Sequence, residues 1–117
     1  MRHRNKVKKL GLRKDHRTAL LRNLTTSLIL HDKIRTTEAR AKVVSARFGR
    51  LMNIVQKKEA REAIRMTPKY LSNTDASRKL LEVLKPKYAD RQSGFTRITR
   101  IGLRDGDKAT LVQIELI

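Results

Sequence analysis

The chain has 117 residues, and its 29 Lys and Arg residues against 11 Asp and Glu give a formal net charge of +18 at pH 7. Its 38% hydrophobic content is enough for one modest core but not for two. No apolar run approaches the roughly 20 residues that a membrane span needs. The absence of cysteine excludes disulfides, thiolate metal sites and a cysteine nucleophile. The basic N-terminus is not followed by the apolar stretch of a signal peptide, so we expect a cytosolic protein.

The positive charge is concentrated towards the N-terminus, where residues 1–50 hold 15 Lys and Arg against 3 acidic residues. Residues 1–14 contain no acid and too few aliphatic side chains to form a core, which predicts a basic arm that orders on a phosphate-rich surface. A solvated tail without function is the alternative. We expect residues 15–117 to form a single domain. Charge density alone makes five residues of the arm candidate nucleic-acid contacts: Lys6, Lys8, Lys9, Arg13 and Lys14.

The first predicted helix follows the arm. Asp15 is a suitable N-cap, and leucines at 21, 24 and 28 recur at helical spacing up to about Leu30. Arg17 and Arg22 lie off this apolar face. The segment Ile34-Arg35-Thr36-Thr37 then predicts a short edge strand, which brings Arg35 into the candidate set.

A second, longer helix is predicted after Thr37, which offers an N-cap hydroxyl. Its apolar residues recur every three or four positions from Ala41 to Val55 and include Phe48. Four cations avoid this stripe: Arg40, Arg47, Arg50 and Lys57. They could form a basic flank that contacts a polyanion, and a merely solvated face is the alternative.

Two shorter helices are predicted next. One covers residues 59–66 and ends at Thr67-Pro68, since proline disfavours helix in the residue before it. The other begins at a cap on Thr74 or Asp75 and is stopped by Lys85-Pro86.

The C-terminal residues change to a β pattern. Residues 96–104 and 109–117 flank Asp105-Gly106-Asp107, which has the chemistry of a hairpin turn, and Gly102 marks a possible bulge. The resulting order α-β-α-α-α-β-β predicts an α+β fold with two layers, helices packed on a small three-stranded sheet.

The sequence offers no signature of catalysis. The three histidines have no metal-site spacing, and no glycine-rich phosphate loop is present. We therefore predict no catalytic residues, no metal and no cofactor. With so few aromatic residues, a binding protein that recognises phosphates and shape is favoured over one that reads bases. A DNA-binding protein and a small basic enzyme acting on RNA remain as rivals.

Several segments together resemble one family. They include Met1-Arg2-His3-Arg4, Leu21-Arg22-Asn23-Leu24, Ile34-Arg35-Thr36-Thr37, Gly94-Phe95-Thr96-Arg97-Ile98 and the turn at Arg104-Asp105-Gly106-Asp107. In colinear order these resemble bacterial large-subunit ribosomal protein seventeen over nearly the whole chain. The resemblance implies a helix, a strand, three helices and a hairpin, with the strands forming a mixed sheet.

The resemblance also implies a function. It implies a structural component of the 50S subunit that binds 23S rRNA on the solvent side, near the polypeptide exit tunnel and beside other large-subunit proteins. One copy per subunit, no membrane and no small-molecule substrate are expected. Positions that match the family motifs are implied as rRNA contacts: Arg2, His3, Arg4, His16, Arg17, Arg22, Asn23, Thr36, Thr37, Arg97 and Arg104. We expect charge reversal at Arg17 and Arg22 to weaken subunit incorporation without affecting folding.

Overall fold

A computed structural model describes His3 and residues 8–117. Five α-helices and three β-strands follow in the order α1 (Lys14–His31), β1 (Lys33–Thr37), α2 (Glu38–Lys57), α3 (Ala60–Met66), α4 (Thr74–Lys79), α5 (Lys85–Lys87), β2 (Thr96–Leu103) and β3 (Thr110–Leu116). A 3-10 turn (Thr67–Lys69) follows α3, and a π-helical segment (Leu80–Leu84) joins α4 to α5. The predicted α+β fold is confirmed. No helix in the described ranges is both long and apolar enough to cross a membrane.

Helix α1 buries Leu21, Leu28 and Ile29 against the core, as its leucine spacing predicts. Its N-cap is Arg13, and Asp15 lies inside the first turn. The prediction that Asp15 caps the helix is therefore wrong, although a carboxylate in the first turn still stabilises the positive end of the helix dipole. The helix ends at His31, and its C-cap Asp32 has a left-handed φ of 66° and donates its backbone N–H to the carbonyl oxygen of Leu28.

Helix α2 is the centre of the core. All six of its buried apolar residues lie on the predicted stripe: Ala41, Val44, Phe48, Leu51, Met52 and Val55. Thr37 occupies the predicted N-cap position, but its hydroxyl makes no capping hydrogen bond. The ring of Phe48 packs edge-on against Phe95, which packs in turn against Tyr88.

The fourth helical region begins one residue earlier than predicted and does not stop at proline. The side chain of Asn73 accepts a hydrogen bond from the backbone N–H of Asp75 and caps α4. Helical backbone continues past Pro86 to Lys87, so the predicted stop at Lys85-Pro86 is wrong. The N–H of Lys85 donates to the carbonyl of Leu80, five residues earlier. This π-type widening places Pro86 in the first positions of α5, where its missing N–H is tolerated.

The sheet has the order β1-β3-β2, and both pairings are antiparallel. The mixed sheet implied by the family resemblance is thus corrected: β1 and β2 run in the same direction but are separated by β3. Val112 and Ile114 of β3 are buried on the face that packs against the helices. A bulge lies between Arg100 and Gly102, as predicted, and it leaves Ile101 without an opposing residue.

The segment before α1 is held against the domain in its described part. A turn at residues 9–12 is closed by a 3.1 Å hydrogen bond from the N–H of Leu12 to the carbonyl of Lys9. Leu10 and Gly11 have positive φ in this turn, and the side chain of Leu10 packs against the core. The contact places Lys8 beside α1 and α2.

Candidate nucleic-acid interface

A groove of about 420 Å³ lies between the N-terminal segment, α1 and α2. Five cationic side chains line it: Lys8, Arg17, Lys42, Arg47 and Arg50. The same groove is also lined by Leu21, Val43, Ala46 and Tyr70, and none of its described lining residues is acidic. We call it the basic groove. Such a concentration of positive charge over an apolar floor is suited to a polyanion.

Arg47 is fixed on one wall of the basic groove. Its Nη2 donates to the carbonyls of Lys69 at 3.1 Å and Tyr70 at 3.4 Å. The guanidinium also lies over the Tyr70 ring, 4.9 Å from its centroid. Burial lowers the pKa of Arg47, Tyr70 opposes this shift, and the neighbouring charges of Arg22 and Arg50 lower the pKa further. An anion in the groove would relieve that repulsion.

Arg22 has a structural role that the sequence does not reveal. Its Nη2 donates to the carbonyls of Pro68 at 3.0 Å and Leu71 at 3.2 Å, which holds the turn after α3 against α1. Its Nε is buried without a hydrogen-bond partner among the described atoms. The expectation that charge reversal at Arg22 leaves folding intact is therefore revised.

We expect Arg22→Ala to lower the free energy of unfolding by about 1–3 kcal/mol, because two carbonyls of the 67–71 turn lose a charged donor. Thermal or urea unfolding measures the loss. Arg61→Ala is the control, since Arg61 is exposed on α3 and surface substitutions usually change stability by less than about 0.5 kcal/mol. Equal stability of the two variants would show that the Arg22 hydrogen bonds contribute nothing.

The start of α1 forms a second basic region next to the basic groove. Arg13, Lys14 and His16 are exposed there, and Arg13 lies 3.8 Å from Asp15 in a solvent-exposed ion pair. Such a pair contributes little and leaves the cation available to a phosphate. Lys9 and His3 are exposed too. Three candidate residues, Arg2, Arg4 and Lys6, lie outside the described residues.

The predicted contact residues of the strands do not all lie on the same face of the sheet. Arg35 lies opposite Gln113, and Arg97 lies opposite Glu115, at 3.9 Å from its carboxylate. Both arginines are exposed on the face away from the helices. Thr36 lies opposite the buried Val112 and so faces the helical layer, whereas Thr37 is the N-cap of α2.

Arg104 lies at the hairpin turn and does not line the basic groove. Its Nε and Nη2 donate to the two carboxylate oxygens of Asp107 at 2.9 and 2.5 Å. The hydrogen bonds from Arg104 hold the pKa of Asp107 well below its usual range, and Asp107 raises the pKa of Arg104. Arg104 therefore closes the turn in addition to any role in binding.

The structure brings four predicted site residues together in the groove: Lys8, Arg17, Arg47 and Arg50. Arg40 is half-buried on α2, and Asn23 is exposed on α1, where it accepts a hydrogen bond from the Ser72 hydroxyl at 3.2 Å. Sequence reasoning missed Lys42 and Tyr70. The helical spacing of positions 42, 46 and 50 could have indicated Lys42, but no local signal places Tyr70 beside Arg47. In the described part of the chain, no three His, Asp or Glu side chains converge as a metal site.

Comparison with known proteins identifies the family. The family model described as Ribosomal protein L17 matches residues 20–117. The chain belongs to this family. A large ribosomal subunit protein bL17 from Carboxydothermus hydrogenoformans is 48% identical over 109 residues, which cover 93% of this chain and 96% of that relative. Another bL17, from Sulfurimonas denitrificans, is 40% identical over 117 residues, the full length of both chains.

Family membership sets the broad class of the protein. Members of the ribosomal protein L17 family are structural constituents of the large ribosomal subunit and not enzymes, and they are cytoplasmic. The predictions of a ribosomal and non-enzymatic protein are confirmed. The two rivals, a DNA-binding protein and a small basic enzyme acting on RNA, are set aside.

Proposed function

We propose that this large-subunit protein binds 23S rRNA through the basic groove, the N-terminal arm and the outer face of the sheet. The groove carries the proposal, since five cations line it and no described lining residue is acidic. A domain that kept its +18 charge only for solubility would distribute it over the surface. RNA supplies a dense row of negative charges that such a site can neutralise.

The hydrophobic core contributes rigidity to this interface. Arg17 comes from α1 and Arg50 from α2, and the two helices are held in place by the buried residues between them, including Leu28 and Phe48. Leu10 extends the same core to the N-terminal segment and so positions Lys8. Cations kept at fixed separations can match phosphates of a folded RNA, and binding releases the counterions condensed on it.

The location in the subunit follows the family resemblance. We place the chain on the solvent side near the polypeptide exit tunnel, in one copy per subunit, with neighbouring large-subunit proteins around it. Cross-linking in intact large subunits tests this placement: photo-reactive groups introduced at Lys42 should attach to 23S rRNA segments near the exit tunnel, and attachment only to distant segments would contradict it.

Sedimentation of a cell lysate through a sucrose gradient tests the proposed function as a whole. We expect the chain to remain with the large subunit after a high-salt wash, at about one copy per particle, because many phosphate contacts must be lost together. Recovery at the top of the gradient in low salt, or on DNA, would contradict the proposal.

A further inference from the structure

The basic groove differs from a flat cationic surface in having an apolar floor. This floor consists of Leu21, which is buried, Val43, which is half-buried, and the exposed Ala46, with Tyr70 beside them. A phosphate group gains no binding free energy from an apolar floor, because it stays hydrated or pairs with the cations on the rim. An apolar floor below a cationic rim fits a ligand that has both an anionic and a flat apolar part.

We infer that the basic groove receives an unpaired nucleotide of the RNA, with the base against Ala46 and Val43 and its phosphates on Lys8, Arg17 and Arg50. This inference rests on the proposed function and specifies its RNA partner as a bulge or loop instead of a regular duplex. The volume of about 420 Å³ is within the range of small-ligand sites, which begins near 300 Å³. Unstacked bases in loops, bulges and ends are the bases of an RNA that protein side chains can reach.

The wall of the groove is ordered before any ligand arrives. Arg47 is held by the carbonyls of Lys69 and Tyr70 and lies over the Tyr70 ring. Arg22 fixes the same turn from α1 through Pro68 and Leu71. Two arginines thus maintain the shape of the pocket, while the cations on the rim are left to contact phosphate. Such preorganisation lowers the entropic cost of capturing a single base.

Two synthetic RNA hairpins with identical stems test the inference, one fully paired and one carrying a single unpaired 2-aminopurine. We expect the full-length protein to bind the bulged hairpin on the order of tenfold more tightly, as burial of roughly 50–60 Å² of apolar surface between the base and the groove would give. The 2-aminopurine fluorescence should change on binding. Equal affinity for the two hairpins would overturn the inference.

Ala46→Leu fills the floor of the groove and keeps every cation. Because Ala46 is exposed and leucine is a good helix former, the variant should fold, which its thermal unfolding verifies. We expect the affinity for the bulged hairpin to fall to that for the paired hairpin, so that the preference disappears. Ala60→Leu, at an exposed helical alanine outside the groove, is the matched control and should keep the preference.

The same experiment separates this inference from the proposed function. If the unsubstituted protein bound both hairpins equally and in a salt-sensitive manner, rRNA binding would stand and the nucleotide pocket would be rejected. Failure of the unsubstituted protein to bind either hairpin, or to bind large-subunit rRNA, would reject the proposed function itself. An unchanged preference in Ala46→Leu would place the bulge-recognising site outside the groove.

Discussion

Phe48→Ala is expected to lower the free energy of unfolding by about 3–5 kcal/mol. Phe48 is fully buried on α2, and its ring contacts Phe95 with the centroids 6.2 Å apart. Phe95 continues the contact to Tyr88 at 5.3 Å, and the Tyr88 hydroxyl donates to the Ile117 carbonyl at 2.7 Å. Truncation of Phe48 would therefore leave a cavity and loosen the attachment of the hairpin to α2.

Urea unfolding followed by circular dichroism measures this loss. Ile64→Ala is the control, because Ile64 is 56% exposed on α3 and should cost little. A loss below about 1 kcal/mol for Phe48→Ala would show that the α2 side of the core is not packed as the structure describes.

Arg17→Glu combined with Arg50→Glu is expected to weaken binding to 23S rRNA on the order of a hundredfold, because two phosphate contacts are replaced by repulsion. The variant should retain the thermal stability of the unsubstituted protein, since neither side chain makes a hydrogen bond or ion pair with the described residues. Filter binding or fluorescence anisotropy gives the affinity.

The matched control for this pair is Arg61→Glu combined with Arg78→Glu. Both arginines are exposed, on α3 and α4, and neither lines the basic groove. The net charge changes by the same amount, so a general electrostatic attraction would weaken equally in both double variants. We expect the groove variant to lose far more affinity than the control, and equal losses would contradict a localised interface.

Local sequence patterns predicted much of the fold. The periodic leucines of α1 and the apolar stripe from Ala41 to Val55 specify which faces become core, because helical spacing fixes which side chains share a face. The Asp105-Gly106-Asp107 turn and the bulge near Gly102 were predicted in the same way, from the conformations those residues favour. These features depend on neighbours in sequence.

Features that depend on contacts distant in sequence were not predicted. The helix passes Pro86 because a π-type turn precedes it, and that turn is selected by packing of Leu80 and Leu84 in the core. Strand pairing through β3 could not be derived from the order of elements. In the sequence Arg22 is indistinguishable from a surface cation, because only the tertiary fold brings its partners in the 67–71 turn next to it.

In the candidate site, too, the residues with a local sequence signal were predicted and those placed by distant contacts were not. Charge density selected Lys8, helical position selected Arg50 and the family resemblance selected Arg17, and the three do lie together. The apolar floor and Tyr70 join them only through the tertiary fold, so the groove itself was not visible in the sequence. The rRNA contacts of the set as a whole remain predictions.

The salt dependence of binding to 23S rRNA tests the central claim most directly, because it reports how many phosphates the chain neutralises. If about eight phosphates are contacted, the logarithm of the affinity should fall against the logarithm of salt concentration with a slope on the order of −6. A slope near −1 would mean about one phosphate contact, and would contradict a function based on the basic groove and arm.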